Sequence, residues 1–226
     1  MREPALFMFN RVEADGFKKA VLFPVQTRGR KVILATCAHT VVDVANLYEL
    51  VLYDRDGNPV TFKSSGSGPI KTMLLPPRLA TDLAFVEVEM DPMPSVVKFS
   101  TDKIESDTAF FHARNVMGRN EFHGQACVIT EQRGSPLTRE YAYVHGACFD
   151  QSELMERGIG PVPRVHRALS IQSWPGVSGS PLWNQSGRVV GMVCGGNEEL
   201  TQKSPMFFAI YLPTEVIKAG LSLLPK

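Results

Sequence analysis

Short apolar runs separated by turn-forming residues repeat along most of the 226-residue chain. The predicted strands lie at residues 20–25, 31–35, 48–53, 84–89, 126–130, 141–144, 189–193 and 207–212. Gly- and Asp-containing turns follow several of them, as between the first two at residues 27–30. Many short strands with this punctuation predict an all-β protein built as a barrel or a sandwich.

One helix is predicted near the end of the chain, over about residues 213–224. Ile217, Leu221 and Leu224 follow one another at i, i+4 and i+7, so they share the face that docks on the strands. Thr214 is predicted to cap the first turn, where Glu215 suits the positive end of the helix dipole.

The composition, with 44% hydrophobic and 21% charged residues, is ordinary for a soluble globular protein. A net charge of +1 gives no electrostatic basis for binding nucleic acid or an anionic membrane. No apolar run approaches the roughly 20 residues of a membrane span, and no secretory segment follows the first residues. We therefore expect neither a nucleic-acid nor a membrane partner.

The four cysteines show no metal-ligand spacing; they are Cys37, Cys127, Cys148 and Cys194. We therefore expect no metal and no other cofactor. The cysteines are interpreted as mostly buried free thiols in a reducing compartment, the cytoplasm or, for a viral protein, the host-cell cytoplasm. The sequence leaves open whether Cys127 and Cys148 pair.

Candidate chemistry is concentrated at residues 175–182, where Ser178 lies among glycines and is followed by an apolar strand. A serine hydroxyl needs a base to take its proton and donors to stabilise the oxyanion. Glycines allow a tight turn in which the N–H groups of Gly176 and Ser178 point into one hole. Taken alone, the segment is equally compatible with a surface loop between strands.

His39 is the candidate base, because it follows a predicted strand and small residues at a position that suits the edge of a cleft. Asp82 lies directly before the predicted strand 84–89, where an orienting carboxylate is expected, whereas Asp43 is too close in sequence to fold back onto the ring. The other histidines are interpreted as surface or core residues: His112, His123, His145 and His166.

Three segments resemble motifs of the trypsin-like serine proteases. Residues 36–43 are similar to their T-A-x-H-V-V motif, residues 81–86 to D-[IL]-A-[LF]-[LV], and residues 175–182 to G-x-S-G-G-P. The order of histidine, aspartate and serine also suits the family. The branch with the greatest similarity is the HtrA-like proteases, in which a turn and Val-Val-Gly follow the serine segment, as at residues 184–191.

The resemblance implies an all-β chymotrypsin-like double barrel, two six-stranded antiparallel barrels followed by a C-terminal helix. In this interpretation residues 1–226 form a single protease domain. The N-terminal barrel covers about residues 16–98, the linker about 99–107, the C-terminal barrel about 108–212 and the helix about 213–224. No PDZ domain is expected.

The resemblance also implies a mechanism. Ser178 attacks the scissile carbonyl, His39 takes its proton, and Asp82 holds His39 in the required tautomer. The N–H groups of Gly176 and Ser178 form the oxyanion hole. By analogy, two segments line the substrate pocket, namely Gln172 and Ser173 on one side and Val193, Cys194, Gly195 and Gly196 on the other. None of these is acidic, so we expect an uncharged side chain before the cleaved bond.

Four positions depart from the family pattern, and at one of them Ser180 stands where the motif has the second glycine after its serine. Thr40 follows His39 where secreted members have a disulfide-bonded cysteine, and Val177 stands where zymogen-activated members have an aspartate. Cys194 stands where many members have a serine that donates to the catalytic aspartate, and a thiol is a weaker donor. The resemblance therefore predicts an enzyme without zymogen activation and with a less firmly held Asp82.

Two functions remain. The first is a serine endopeptidase acting on protein or peptide substrates, and the presence of all three catalytic residue types favours it. The second is a catalytically idle protease fold that serves as a protein- or peptide-binding module. A regulatory partner or a larger assembly is compatible with both.

Overall fold

The computed structural model describes residues 7–13, 16–41, 52–53, 62–63, 71–74, 82–100, 112–116, 121–125, 167–169, 173, 176–184, 186–196 and 209–225. Within these ranges the chain forms thirteen strands and two helices. Strands therefore dominate, as the repeated apolar runs predict.

The first sheet has seven antiparallel strands. They are β1 (Phe7–Glu13), β2 (Gly16–Arg28), β3 (Lys31–Thr36), β4 (Leu52–Tyr53), β5 (Phe62–Lys63), β6 (Lys71–Leu74) and β7 (Ala84–Met90). Their order is β4-β1-β2-β3-β7-β5, and β6 also pairs with β7. β3 lies between β2 and β7, and its residues from 32 to 36 are all buried, which explains its continuous apolar sequence.

The second sheet has four antiparallel strands. They are β10 (Arg167–Leu169), β11 (Pro181–Trp183), β12 (Val189–Gly196) and β13 (Ala209–Pro213), in the order β10-β13-β12-β11. A separate pair is formed by β8 (His112–Val116) and β9 (Glu121–Gln125). The closure of each sheet into a six-stranded barrel involves residues outside those described, so it stays a prediction.

Five predicted strands correspond to β2, β3, β7, β12 and β13. The strand predicted at residues 48–53 is observed at Leu52–Tyr53. Its remaining residues, and the predictions at 126–130 and 141–144, lie outside the described residues. The apolar pattern did not identify six other strands, each of which contains charged or polar residues: β1, β5, β6, β8, β9 and β10.

Buried side chains from both sheets form one hydrophobic cluster. Phe23, Ile33 and Phe85 come from the first sheet, and Met192 and Leu212 come from the second. Apolar burial of this kind is the main source of folding free energy. The cluster therefore holds the two sheets against each other.

Residues 91–100 connect the two sheets. The Val97 N–H donates to the Pro24 carbonyl oxygen at 2.9 Å, which attaches the segment to β2. Ser100 N–H donates to the Val189 oxygen at 2.7 Å, and Val189 N–H donates to the Lys98 oxygen at 2.8 Å. The segment is thus hydrogen-bonded to the first sheet and to the second.

The described helices are α1 (Ala38–Val41) and α2 (Thr214–Ser222). Ile217 and Leu224 are buried, as the helical spacing predicts. The prediction that Thr214 caps α2 is wrong, because Pro213 occupies the N-cap position without a side-chain bond. The Thr214 hydroxyl faces the core and donates to the Val189 oxygen at 3.0 Å.

Neither helix in the described part of the chain is long and apolar enough to cross a bilayer. Cys37 and Cys194 are buried free thiols, as predicted. Cys127 and Cys148 lie outside the described residues, and their pairing stays open.

Candidate active site

The pairing of β3 with β7 brings His39 and Asp82 together. The last pair of this antiparallel ladder joins Thr36 to Ala84. His39 lies three residues after Thr36, and Asp82 lies two residues before Ala84. Because antiparallel neighbours run in opposite directions, the end of one and the start of the other meet at the same edge of the sheet. The two residues predicted from the sequence therefore lie next to each other in the structure.

Both carboxylate oxygens of Asp82 contact His39. Oδ2 lies 2.6 Å from Nδ1 of the imidazole, and Oδ1 accepts the backbone N–H of His39 at 2.9 Å. With the aspartate ionised, Nδ1 carries the shared proton and Nε2 keeps its lone pair. The His39 side chain is 50% exposed, so a substrate can approach it.

Ser178 lies in a tight turn. The Ser180 N–H donates to the Val177 oxygen at 2.8 Å, which closes a four-residue turn with Ser178 and Gly179 at its centre. Gly179 has a φ of +83°, the value that a type II turn requires at its third residue. Glycine adopts this conformation without strain, so the sequence Ser-Gly is suited to the turn.

The turn is attached to β12 by three hydrogen bonds. Gly179 N–H donates to the Val193 oxygen and Val193 N–H donates to the Ser180 oxygen, both at 2.8 Å. The Ser178 hydroxyl donates to the Cys194 oxygen at 3.3 Å. The β12–β13 register shifts between Val193 and Gly195, so Cys194 lies at an irregular position beside the turn.

The other predicted site residues are placed as follows. Gly176 is buried with a φ of +92°, and its part with Ser178 in an oxyanion hole stays a prediction. Ser173 and Val193 are buried, whereas exposure increases from Cys194 through Gly195 to Gly196 at the end of β12. Gln172 lies outside the described residues. The predicted pocket is thus described mainly on its β12 side.

A family model for the trypsin-like peptidase domain matches residues 21–192, a range that includes His39, Asp82 and Ser178. The chain belongs to the trypsin-like peptidase family. The family predicted from the three motifs is therefore confirmed.

Solved structures of the Rv3671c protease of M. tuberculosis are similar to this peptidase. The active form is 15% identical with a TM-score of 0.58, covering 97% of this chain and 80% of that chain. The inactive form is 16% identical with a TM-score of 0.56, covering 99% and 89%. An inactive serine-to-alanine mutant is 16% identical with a TM-score of 0.57, covering 97% and 86%. This likeness establishes the fold.

Among curated proteins, no match to the peptidase was found.

A buried thiol lies beneath the His39–Asp82 pair of the peptidase. The Cys37 Sγ donates to the Val193 oxygen at 3.4 Å, and its burial raises the pKa of the thiol well above the ordinary value. A hydrogen bond and charge interaction with Cys194, and the negative charge of Asp82, raise this pKa further. Cys37 is therefore a neutral thiol beside the His39–Asp82 pair.

Donor atoms of Cys37, His39 and Asp82 lie within 4.8 Å of one another, a set that can hold a metal ion in principle. Here the imidazole Nδ1 and the carboxylate Oδ2 are hydrogen-bonded to each other. The Cys37 thiol is kept protonated by its surroundings, whereas zinc takes a thiolate. The arrangement thus suits an orienting carboxylate better than a metal centre.

The sequence comparison predicts that the side chain of Cys194 is a weak donor to Asp82. Its Sγ donates to the Met192 oxygen at 3.6 Å, and its carbonyl oxygen accepts the Ser178 hydroxyl. Cys194 therefore contacts the candidate nucleophile through its backbone.

Sequence reasoning missed Val21 and Thr36, which join the Ser178 turn to the first sheet. The Val21 N–H donates to the Ser178 oxygen at 2.8 Å, and the Thr36 hydroxyl donates to the Val21 oxygen at 2.9 Å. Thr36 begins the motif that contains His39, and this proximity is the only indication in the sequence that Thr36 belongs to the site.

Of the remaining histidines, His112 and His123 lie on β8 and β9, and the other two lie outside the described residues.

Proposed function

We propose that this trypsin-like peptidase is a serine endopeptidase that cleaves proteins or peptides through Ser178, His39 and Asp82. The observation that carries the proposal is the two-point contact of Asp82 with His39, made through Nδ1 and the backbone N–H. An aspartate in this position orients the ring and stabilises the imidazolium that forms during catalysis.

In the proposed reaction, rotation about the Cα–Cβ bond of Ser178 moves its hydroxyl from the Cys194 oxygen to Nε2 of His39. His39 takes the proton as Ser178 Oγ attacks the scissile carbonyl carbon. The tetrahedral intermediate collapses, the imidazolium protonates the leaving amine, and an acyl-enzyme remains. Water then attacks the ester with His39 again as the base, which releases the acid product and regenerates Ser178.

The oxyanion of each tetrahedral intermediate is proposed to bind the N–H groups of Gly176 and Ser178. Such donors typically contribute 100- to 1000-fold each to turnover. The exposed end of β12, at Gly195 and Gly196, supports the proposal that an extended substrate pairs there as an added strand. The preference for an uncharged side chain and the cytoplasmic location stay predictions.

A fluorophosphonate probe tests the proposal, because it labels only a serine that is activated as a nucleophile. We expect the wild-type protein to be labelled and to cleave an unstructured protein such as casein. The matched variant Ser178→Ala, which lacks only the hydroxyl oxygen, is expected to do neither. Absence of wild-type labelling, or equal labelling of both proteins, would refute the proposal and favour the idle binding module.

A further inference from the structure

Strand β3 ends where the Ser178 turn meets the first sheet. Ala35 still pairs with Phe23 of β2, but after Thr36 the chain turns into α1. Val21 lies two residues before Phe23 in β2, and its backbone groups bond to Ser178 and Thr36 in place of a backbone partner in β3. Its N–H donates to the Ser178 oxygen, and its oxygen accepts the Thr36 hydroxyl. The candidate nucleophile thus takes the place that a continued β3 would occupy.

The Thr36 hydroxyl also lies against the glycine that follows Ser178. A Cβ added to Gly179 would lie 2.5 Å from Thr36 Oγ1 and would overlap the Val21 oxygen. Thr36 is fully buried, so its hydroxyl has no room to turn towards solvent. The Val21 carbonyl oxygen and the Thr36 side chain therefore together limit how closely the Ser178 turn approaches the first sheet.

The same hydroxyl reaches the segment that carries His39. Thr36 Oγ1 lies 3.5 Å from Thr40 Oγ1, and the Thr40 hydroxyl donates to the Cys37 oxygen at 2.7 Å. Thr40 directly follows His39 in α1 and is also buried. One oxygen atom is therefore in contact with both the His39 segment and the Ser178 turn.

We propose that Thr36 is a positioning residue that sets the distance between Ser178 and His39. It acts through Val21, Gly179 and Thr40, and it does not touch substrate. This inference rests on the proposed function. A displacement of about 1 Å between reacting groups can reduce turnover by about 100-fold, so a small change at Thr36 is expected to alter the chemical step more than substrate binding.

The test compares Thr36→Val with a matched control, Thr214→Val. Both substitutions replace a buried threonine hydroxyl that donates to a backbone oxygen, at Val21 and at Val189 respectively. We expect Thr36→Val to lower kcat on a quenched casein substrate by about 100-fold with KM changed less than about threefold. Thr214→Val is expected to lose a comparable amount of thermal stability while keeping the wild-type kcat.

Thr36→Ser keeps the hydroxyl, and we expect it to restore kcat to within about fivefold of the wild type. If Thr36→Val does not fold, Thr36→Ala, which removes the hydrogen bond without adding bulk, is expected to show the same loss of kcat. Wild-type kcat in the folded valine or alanine variant would overturn the inference, as would an equal loss of kcat in Thr214→Val. These results differ from failure of the proposed function, in which the wild type itself is unlabelled and inactive.

Discussion

The His39–Asp82 pair and the Ser178 turn are held in place by different means. His39 and Asp82 lie just beyond the adjoining ends of β3 and β7, and six consecutive residue pairs fix the register of these two strands. The Ser178 turn bonds to both sheets, to Val21 on one side and to Val193 on the other. Changes in the pair should therefore affect chemistry with little effect on folding. Changes in the turn should affect both, because they disturb the contact between the sheets.

Gly179→Ala is the most severe way to test this difference. A methyl group there would overlap the Val21 oxygen, and the residue would keep a φ of +83° that disfavours alanine. We expect activity to fall to the level of Ser178→Ala and the unfolding free energy to fall by at least about 3 kcal/mol. Casein cleavage and urea unfolding measure the two effects.

The matched control for that variant is Gly29→Ala, in the turn between β2 and β3. Gly29 also has a positive φ, +60°, but an added Cβ would meet no described atom within 4 Å. It should lose about 1–2 kcal/mol of stability and keep its activity. Equal behaviour of the two variants would show that backbone conformation, and not the close approach of the sheets, explains the effect.

Asp82→Asn is expected to separate chemistry from folding. An amide in place of the carboxylate cannot accept from both the ring and the backbone N–H of His39, and it favours the wrong imidazole tautomer. Turnover should fall by about 10,000-fold, the scale typical of this exchange in a catalytic triad. The thermal midpoint should change little. Steady-state kinetics and calorimetry measure the two quantities, with the exposed Asp91→Asn as the control. Unchanged turnover would point to a different orienting carboxylate.

The smallest effect is expected from the Cys37 thiol, which lies between the His39–Asp82 pair and the Ser178 turn. Because the folded-state pKa of Cys37 is raised, its contribution to stability is present below the unfolded-state pKa of about 8.5 and is lost as pH rises towards the folded-state value. Above about pH 8.5, wild-type stability should fall by up to about 1.4 kcal/mol per pH unit more steeply than that of Cys37→Ala. Urea unfolding between pH 7 and pH 10 measures both slopes. Parallel slopes would contradict a raised pKa.

The contrast between the His39–Asp82 pair and the Ser178 turn also explains how much of the site the sequence predicts. His39 and Asp82 flank apolar runs that are recognisable as strands, so their positions at strand ends follow from a local pattern. The antiparallel pairing of β3 and β7 then brings them together. Ser178 is also marked locally, by the glycine at 179 that its turn requires.

The contacts between the sheets do not follow from any local pattern. Nothing near Val21 indicates that its N–H bonds to Ser178, because that bond depends on how distant parts of the chain pack. Thr214 illustrates the same point, since a local capping rule assigned its hydroxyl to α2, whereas packing directs it to the Val189 oxygen. Polar groups at such junctions are assigned correctly only when the tertiary neighbours are known.

The connecting segment at residues 91–100 has a mechanical consequence. Hydrogen bonds of Val97 and Ser100 connect the segment to β2 and to β12. Pulling the two halves apart would break these hydrogen bonds and expose the apolar cluster that both halves share. The two sheets are therefore expected to stay together while a polypeptide substrate binds.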